Sequence, residues 1–353
     1  MKGRLQTVRG RLQEKGLDAL LITSPFNRKY LSGFTGTSGY LLITMDRAVL
    51  ITDFRYIDQA TEQASEYEIV KHKAAILDEV GVQINRLNIH KIGFEKQFVS
   101  YSLYEGLKKL SSEWVGVGGL VEEIRMIKSE DEIQIIKEAC EIADKAFQHI
   151  TGFIRPGVTE REVALELEFF MRKLGADSVS FDTIVASGER SALPHGVASP
   201  KVIQSGDLVT LDYGAYYKGY VSDITRTVAV GEPSEKLKEI YDIVLQAQLA
   251  GVSKIKAGLT GREADEITRS IIRDAGYGEY FGHSTGHGIG LEVHEGPGLS
   301  SKSDIFLQPG MVVTVEPGIY ISNLGGVRIE DDVVITESGC EIITHSPKEL
   351  LIL

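Results

Sequence analysis

The sequence predicts an α/β (α+β) protein of two domains, a small N-terminal α/β domain followed by a larger domain built from two similar halves. Three observations lead to this prediction. The chain has 353 residues, more than a single domain of roughly 150 residues needs. Short apolar runs alternate with helical stretches near the start, and two linked segments recur later in the chain. The recurrence predicts a pseudo-twofold arrangement of the second domain.

The composition is that of a globular protein and argues against two classes of function. Hydrophobic residues make up 42% and charged residues 25% of the chain, a mix that can bury a core. The net charge of -12 has the wrong sign for neutralising phosphates, so nucleic-acid binding is not expected. No segment resembles a signal peptide or a membrane span, and the two cysteines, Cys140 and Cys340, form no disulfide framework. A cytoplasmic protein without membrane or nucleic-acid partners is expected.

The first domain is predicted from alternating strand and helix patterns. The predicted strands are Leu20–Ile22, Tyr40–Ile43 and Ala48–Ile51, and the predicted helices are Ile57–Ser65 and Ser102–Leu110. Glycines interrupt the pattern around Trp114–Gly119. We therefore expect the boundary between Leu110 and Ser129, with a substrate-restricting or dimerisation domain at 1–120 and a catalytic domain at 121–353.

A strong helix signal opens the second domain. Ser129 and Glu132 have the spacing of a capping box, in which each side chain satisfies the other residue's backbone N–H. Apolar residues then recur at steps of three and four, which predicts one buried stripe along a helix that ends before Pro156. The stripe consists of Ile133, Ile136, Cys140, Ala143, Phe147 and Ile150.

An internal repeat follows this helix. Gly157–Glu162 recurs as Gly258–Glu263, 101 positions later, and both copies carry a Thr-x-x-Glu capping box. Gln204–Gly214 recurs as Gln308–Gly318, 104 positions later, with an acidic residue at the same place in each copy. Two linked segments in the same order indicate duplication. Two similar halves that face each other would form a symmetric cleft.

Each half contains a pair of acidic residues that a hairpin would bring together. Asp212 and Asp223 flank a run of strand formers, and a turn centred on Tyr217-Lys218 would place them directly opposite each other, with Cβ atoms about 5 Å apart. Glu316 and Glu330 would likewise face each other across a short loop near Ser322. A single acidic residue in a hairpin is usually a solvated surface residue. Matched placement in both repeats instead predicts one shared site.

Four converging carboxylates would require compensating positive charge. Burying them unpaired costs several kcal/mol per ion, and two divalent cations would cancel the charge of about -4. His287 lies in a glycine-rich segment that lets the backbone approach a ligand, and its imidazole would complete a shell of oxygen and nitrogen ligands. Two metal ions about 3.5–4 Å apart activate water and polarise a carbonyl group. The residues therefore predict a hydrolytic metal centre.

The motifs around these residues resemble those of the pita-bread metallopeptidases. The ligand motifs are Leu-Asp-Tyr-Gly with Asp212, Ser-Asp-Ile-Thr-Arg-Thr with Asp223, Gly-His-Gly-Ile-Gly with His287, Val-Glu-Pro-Gly with Glu316 and Arg-Ile-Glu-Asp with Glu330. Ser24–Phe34 and Thr52–Tyr56 are similar to the creatinase-like N-terminal domain of the Xaa-Pro peptidases, which include aminopeptidase P and prolidase. The resemblance covers nearly the whole chain. It implies a creatinase-like domain followed by a pita-bread catalytic domain.

The resemblance also implies an activity and a metal. Members of this family hydrolyse the bond between an N-terminal residue and proline, so the expected partner is a proline-containing peptide. The expected cofactor is a pair of divalent metal ions, with manganese as the first choice and cobalt or zinc as alternatives. The ligand types themselves suit several of these metals. A homodimer is expected from the family.

Three histidines and Glu316 are candidates for catalysis by the same resemblance, and Arg328 is a candidate by its position. His195, His283 and His294 would contact the substrate or move protons near neutral pH. Glu316, besides being a ligand, would accept a proton from the attacking water. Arg328 lies two positions before Glu330, so both side chains project from the same face of a strand. Arg328 would brace the acidic network, bind a substrate carboxylate or be a plain surface arginine.

Three alternatives are weighed against the Xaa-Pro peptidase. Methionine aminopeptidase shares the catalytic fold but normally lacks an N-terminal domain of this kind. Creatinase-like relatives lack the metal ligands, which are all present here. A catalytically silent binding module on the same scaffold would tolerate the loss of ligands, and none is missing. The choice between a dipeptidase and an aminopeptidase stays open, because the loops that decide it have no readable signature.

Overall fold

The computed structural model describes residues 2–353, in two compact units that meet in sequence between Arg125 and Met126. The strands of the first unit are β1 (Ala19–Ile22), β2 (Tyr40–Thr44), β3 (Ala48–Thr52), β4 (Glu68–Lys71), β5 (Lys91–Glu95) and β6 (Glu113–Val117). Its helices are α1 (Lys2–Lys15), α2 (Pro25–Ser32), α3 (Ile57–Gln63), α4 (Ile76–Arg86), α5 (Tyr101–Leu107) and α6 (Glu122–Arg125).

The six strands of the first unit form one mixed sheet in the order β4-β3-β2-β1-β5-β6. Strands β1, β2 and β3 are buried along almost their whole length, which is typical of a sheet covered on both faces. All three predicted strands and both predicted helices are confirmed. The glycine-rich stretch at Trp114 is not a break, because β6 runs through it as an edge strand. Gly116 lies opposite Phe94, and a Cβ atom there would lie 3.2 Å from the Lys96 Cβ.

The second unit contains four long helices and thirteen short strands within residues 126–353. The helices are α7 (Glu130–Thr151), α8 (Glu160–Lys173), α9 (Glu235–Lys254) and α10 (Gly261–Asp274). The strands of its first half are β7 (Ser178–Val179), β8 (Ile184–Ser187), β9 (Leu208–Tyr213), β10 (Ala215–Tyr217), β11 (Tyr220–Val221) and β12 (Ile224–Ala229). The strands of its second half are β13 (Gly286–Gly288), β14 (Glu295–Leu299), β15 (Val312–Val315), β16 (Gly318–Ile321), β17 (Gly325–Arg328), β18 (Asp331–Ile335) and β19 (Cys340–Ile342).

The strands of the second unit form four small antiparallel sheets. Their orders are β11-β10-β7, β12-β9-β8, β14-β13-β15-β18-β19 and β16-β17. The sheet β12-β9-β8 carries the first pair of acidic residues, and the strands β13, β15, β17 and β18 surround the second pair. No helix within residues 2–353 combines the length and the apolarity needed to cross a membrane.

Helix α7 begins with the predicted capping box, which both Ser129 and Glu132 complete. Five of the six predicted stripe residues are buried, and Ile133 is half-buried. The second half of the stripe, Ala143, Phe147 and Ile150, packs into a core with apolar side chains of α8 and β9. Burial of one face thus holds α7 against the first half of the unit.

The duplication is visible in the backbone hydrogen bonds. Both α8 and α10 begin with a complete capping box, at Thr159 and Thr260. The loop before each helix and its first turn make the same backbone bonds to the segment that precedes β9 or β15. The matched donor and acceptor pairs are Gly157 N to Ile203 O (3.0 Å) and Gly258 N to Leu307 O (2.9 Å), and Arg161 N to Ser199 O (3.0 Å) and Arg262 N to Ser303 O (2.8 Å). The two halves therefore share one backbone framework.

The predicted register of the first hairpin is wrong by two residues. The turn lies at Lys218-Gly219, and Asp212 is paired with Thr225 rather than with Asp223. Both turn residues have positive φ, 49° and 89°, which a tight two-residue hairpin requires and which glycine supplies at the second position. A shift of two residues keeps side chains on the same face, so the two aspartates are diagonal neighbours.

The second predicted pairing is confirmed. Gly318 pairs with Arg328 in β16–β17, and Val315 pairs with Asp331 in β15–β18. The same register on both sides places Glu316 opposite Glu330 between these two ladders. The second half therefore aligns its two glutamates directly, whereas the first half offsets its two aspartates.

Candidate metal centre

All nine site residues predicted from the sequence line one cleft of about 540 Å³ in the second unit. Its polar wall contains Asp212, Asp223, His287, Glu316, Glu330, His195, His283, His294 and Arg328. An apolar wall is formed by Phe181, Ile184, Pro194, Val197 and Val293. The acidic side chains thus converge on one space instead of pointing outward into solvent.

The strands place the five predicted metal ligands at their ends. Asp212 lies near the end of β9, and Asp223 immediately precedes β12. Glu316 and Glu330 follow β15 and β17, while His287 is the central residue of β13. Each ligand comes from a different strand or strand end, so only the folded sheets bring the five together.

The ligand atoms are close to one another. His287 Nε2 is 3.3 Å from Glu316 Oε1 and 3.7 Å from Asp223 Oδ2. Ligand atoms of Asp223, His287 and Glu330 all lie within 4.8 Å of each other. The side chains of Asp212, Asp223 and Glu316 retain between 6% and 14% of their exposure. This crowding of acids and one imidazole is the arrangement of a metal site with oxygen and nitrogen ligands.

A backbone contact determines the tautomer of His287. Its Nδ1 lies 3.2 Å from the carbonyl oxygen of Gly288, which accepts but cannot donate, so Nδ1 carries the proton. The Nε2 lone pair then faces Asp223 and Glu316. A metal-binding histidine commonly has its second ring nitrogen bonded in this way, which fixes the orientation of the ring.

Burial and mutual repulsion raise the pKa of three of the acids. Burial, followed by the charges of Glu330 and Asp212, raises the pKa of Asp223 well above its usual value. Burial and the charge of Glu316 do the same to the pKa of Glu330. Burial raises the pKa of Glu316 to about 7, although the neighbouring Arg328 opposes this shift. Acids in this state need protons or cations among them.

Two carboxylate oxygens favour cations over protons alone as the compensating charge. Oδ1 of Asp212 and Oδ1 of Asp223 are buried and have no hydrogen-bond partner within residues 2–353. Leaving a buried acceptor of this kind unsatisfied is costly. Both oxygens belong to predicted ligands, and a bound divalent cation would satisfy them. The residues therefore fit the metal pair that the sequence predicts.

Hydroxyl groups two positions from the ligands orient the carboxylates. The Thr225 hydroxyl donates to Glu330 Oε2 at 2.6 Å. The Thr314 hydroxyl donates to Glu316 Oε1 at 3.0 Å and accepts from the backbone N–H of His287 at 3.1 Å. Neither threonine is among the site residues predicted from the sequence. They could have been found from the two-residue period of a strand, which puts Thr225 on the same face as Asp223 and Thr314 on the same face as Glu316.

Arg328 is buried and braces the site from one side. Its guanidinium donates to Asp212 Oδ2 at 2.5 Å, to the Thr225 hydroxyl at 3.0 Å and to the Tyr320 hydroxyl at 2.7 Å. Of the predicted alternatives, these contacts correspond to bracing, with one bond to Asp212 rather than a bidentate pair. The guanidinium is thus engaged by side chains of the chain itself.

His283 belongs to the same hydrogen-bonded chain. Its Nδ1 is 2.9 Å from the carbonyl oxygen of Ser284, and its Nε2 is 2.8 Å from the Tyr320 hydroxyl. The carbonyl acceptor requires the proton on Nδ1, so Nε2 accepts from Tyr320 while Tyr320 accepts from Arg328. Burial and the charge of Arg328 lower the pKa of His283 to about 4, which keeps the ring neutral. Tyr320, which is not among the site residues predicted from the sequence, completes this chain.

The other two histidines are more open to solvent. His294 and His195 are both exposed at the cleft. The His294 ring lies 4.2 Å from the His287 ring, centroid to centroid. Burial and the nearby His287 lower the pKa of His294. His195 lies on the segment Ser187–Ser199, between β8 and the isolated bridge at Val202.

Comparison with known families agrees with this fold. Residues 134–337 match the model of metallopeptidase family M24, and residues 4–127 match the creatinase/prolidase N-terminal domain. The chain belongs to metallopeptidase family M24, with a creatinase N-terminal domain ahead of the pita-bread domain. It is therefore a metallopeptidase by family.

Several relatives match over almost their full length. An Xaa-Pro dipeptidase from Bacillus anthracis has 62% identity and a TM-score of 0.99, with 100% of this chain and 99% of that structure covered. An Xaa-Pro dipeptidase of Pyrococcus furiosus is 46% identical, over 99% of this chain and 100% of its own length. An X-Pro aminopeptidase structure from Thermotoga maritima has 45% identity and a TM-score of 0.92, with 99% of both chains covered.

Proposed function

We propose that this protein is a dinuclear metallopeptidase that cleaves the bond between an N-terminal residue and proline. The observation that carries the proposal is the convergence of four acids and one imidazole in a cleft, with two buried carboxylate oxygens that lack a partner within residues 2–353. The names of the relatives support the specificity for proline, since they include Xaa-Pro dipeptidases and an X-Pro aminopeptidase.

The metal pair would be held by the five residues that the sequence predicts. Asp212, Asp223, His287, Glu316 and Glu330 supply the oxygen and nitrogen ligands that divalent transition metals prefer. When bound, the metal pair supplies Lewis acidity and a water of lowered pKa. Thr225 and Thr314 hold two of the carboxylates in orientation, which reduces the rearrangement needed on binding.

Glu316 is the group best placed to handle the proton of the attacking water. Its carboxylate lies 3.3 Å from His287 Nε2, and the Thr314 hydroxyl fixes one of its oxygens. A general base must lie within hydrogen-bond reach of the proton that it accepts, and Glu316 lies on the wall of the cleft beside His287. Glu316 would accept a proton from water and return it to the departing proline nitrogen.

Two of the three histidines would contact the substrate from the rim of the cleft. His195 and His294 are exposed there, so their ring nitrogens can reach a peptide carbonyl group. His283 has both ring nitrogens engaged, and it would act by holding the Tyr320 hydroxyl against Arg328. The apolar wall around Phe181 and Ile184 offers a surface for a proline ring.

The experiment compares four peptides on protein that has been treated with a chelator and reloaded with manganese. Ala-Pro tests the dipeptidase, Ala-Pro-Ala tests the aminopeptidase, Ala-Ala-Ala tests the requirement for proline, and Met-Ala-Ser tests the methionine aminopeptidase alternative. Metal-dependent release of alanine from Ala-Pro or Ala-Pro-Ala is expected. No cleavage of either proline peptide under any metal would contradict the proposal and favour a silent binding module.

Substrate length is decided by the same experiment. A dipeptidase must recognise the free carboxylate that directly follows proline, whereas an aminopeptidase leaves that end open. The relatives include both kinds, so the ratio of kcat/KM for Ala-Pro to that for Ala-Pro-Ala assigns the class. Manganese as the preferred metal, the homodimer, the cytoplasmic location and the roles of 1–120 and 121–353 stay predictions.

A further inference from the structure

Helix α10 carries a buried acid paired with an arginine one turn later. Asp265 is 1% exposed, and the Arg269 guanidinium grips it with two bonds, Nε to Oδ2 at 2.6 Å and Nη2 to Oδ1 at 2.9 Å. Neither residue is among those that line the cleft of the metal centre. A two-bonded pair of this type fixes the guanidinium plane as well as its position.

The pair holds the chain segment Phe281–Thr285, which lies between α10 and β13. Arg269 donates to the carbonyl oxygen of His283 at 2.7 Å and to that of Phe281 at 3.1 Å. Asp265 Oδ1 accepts from the backbone N–H of Thr285 at 2.9 Å. The segment is therefore tied to the helix on both sides of the His283 side chain.

The backbone of this segment sets where the His283 ring points. The ring hydrogen-bonds to the Ser284 carbonyl and to Tyr320, which contacts Arg328. A shift of the His283 backbone by a fraction of an ångström would weaken the bond to Tyr320, because hydrogen bonds depend steeply on distance and angle. Sites supported by a helix are held more precisely than sites on free loops.

We infer that Arg269, oriented by Asp265, is a positioning residue for His283 in the peptidase reaction. Only the claim that Arg269 affects the rate of peptide cleavage rests on the proposed function. Arg269 acts through four of its N–H groups, two on Asp265 and two on the backbone carbonyls. Lysine keeps the charge but cannot reproduce this planar fork, so Arg269→Lys separates the geometry from the charge.

A matched control lies one turn further along the same helix. Arg273 pairs with Glu266 at 2.8 Å, and both side chains are about half exposed. Arg269→Lys is expected to lower kcat for the preferred Xaa-Pro peptide 10- to 100-fold, with KM within threefold of the parent. Arg273→Lys is expected to keep both values within twofold. The second variant is Asp265→Asn, in which an NH₂ donor replaces one of the two oxygens that accept from Arg269. It should act like Arg269→Lys.

A double substitution tests whether Arg269 acts through His283. In a His283→Ala background, Arg269→Lys should lower kcat by less than a further threefold, because the group that it positions is already absent. If the two losses multiply, Arg269 acts elsewhere and the inference is wrong. An unchanged kcat in both Arg269→Lys and Asp265→Asn would overturn it as well.

A second readout does not depend on activity. In metal-free protein with ¹⁵N-labelled histidine, the His283 ring, assigned with His283→Gln, should show the proton fixed on Nδ1. Arg269→Lys should give averaged ring-nitrogen shifts, whereas Arg273→Lys should match the parent. A ring that stays fixed in Arg269→Lys overturns the inference even if the protein cleaves Xaa-Pro peptides. Averaged shifts without any cleavage by the parent would support the positioning and contradict the proposed function instead.

Discussion

The two halves of the second unit share a backbone framework but anchor their histidine segments with different residues. In the first half, Glu160 is fully buried at the start of α8 and ties down both ends of the segment that carries His195. It accepts from the backbone and hydroxyl of Ser187, both at 2.8 Å, and from the backbone and hydroxyl of Ser199, at 3.1 and 2.6 Å. Arg190 pairs with the same carboxylate.

In the second half, the position equivalent to Glu160 is Gly261. A Cβ atom there would lie 2.1 Å from the carbonyl oxygen of Gly298 and 2.5 Å from the Ser303 hydroxyl, so this position has no room for an acid. The anchoring acid of the second half is instead Asp265, one turn further along α10. The comparison indicates that the two halves share a framework of backbone bonds, while each half has its own anchor for its own histidine segment.

The largest effect on activity is expected from substitutions in the proposed metal centre that the two halves share. Asp223→Asn removes a proposed metal ligand from the first half, and Glu330→Gln removes one from the second. Each should lower kcat/KM on the order of a thousandfold or more, because the centre needs ligands from both halves. The measurement is steady-state kinetics with saturating metal, with circular dichroism as the control for folding. Near-normal turnover in either variant would contradict the shared centre.

Metal removal tests the same centre through stability. Four crowded acids repel one another, so metal should raise the thermal unfolding midpoint of chelator-treated protein. Binding at a hundred times Kd stabilises by about 2.7 kcal/mol. Differential scanning calorimetry with and without manganese measures the shift, and Asp223→Asn should reduce it by more than half. An unchanged midpoint in the parent would argue against binding at this cluster.

A smaller effect is expected when only the anchor of the first half is altered. Glu160→Gln replaces one acceptor oxygen by a donor that faces Ser199 and Arg190, so the segment Ser187–Ser199 should loosen. We expect kcat/KM to fall about tenfold and amide hydrogen exchange to accelerate in 187–199 but not in 281–285. Glu162→Gln is the matched control on α8, since glutamine also completes a capping box. Acceleration of both segments would show that the anchors are not independent.

The smallest effect on activity is expected at Gly261, the position in the second half that is equivalent to Glu160 and has no side chain. Gly261→Ala adds a methyl group against the Gly298 carbonyl, which should lower the free energy of unfolding by about 1–3 kcal/mol while the folded protein keeps kcat within twofold. Gly339→Ala, where no heavy atom lies within 4 Å of the added Cβ, is the control and should change neither. Equal stability of both variants would contradict the steric reason for the difference between the halves.

Local patterns were sufficient for the elements that depend on periodicity. The capping boxes at Ser129, Thr159 and Thr260 form as predicted, because each involves residues only three positions apart. The pairing of Glu316 with Glu330 followed from a short loop between them. The register at Asp212 could not be predicted in this way, because it depends on the positive φ of Lys218, which cannot be inferred from the residue type.

The sequence by itself determined which chemistry is available here: the acids, the imidazole and the repeat that pairs them can be read from residue types and spacing. Only the tertiary structure decided how these groups are held. Arg328 meets Asp212 across 116 positions, and Glu160 meets Ser199 across 39, and no periodicity connects such partners. Side-chain chemistry is a property of each residue, whereas the partner of a buried polar group depends on which strands pack together.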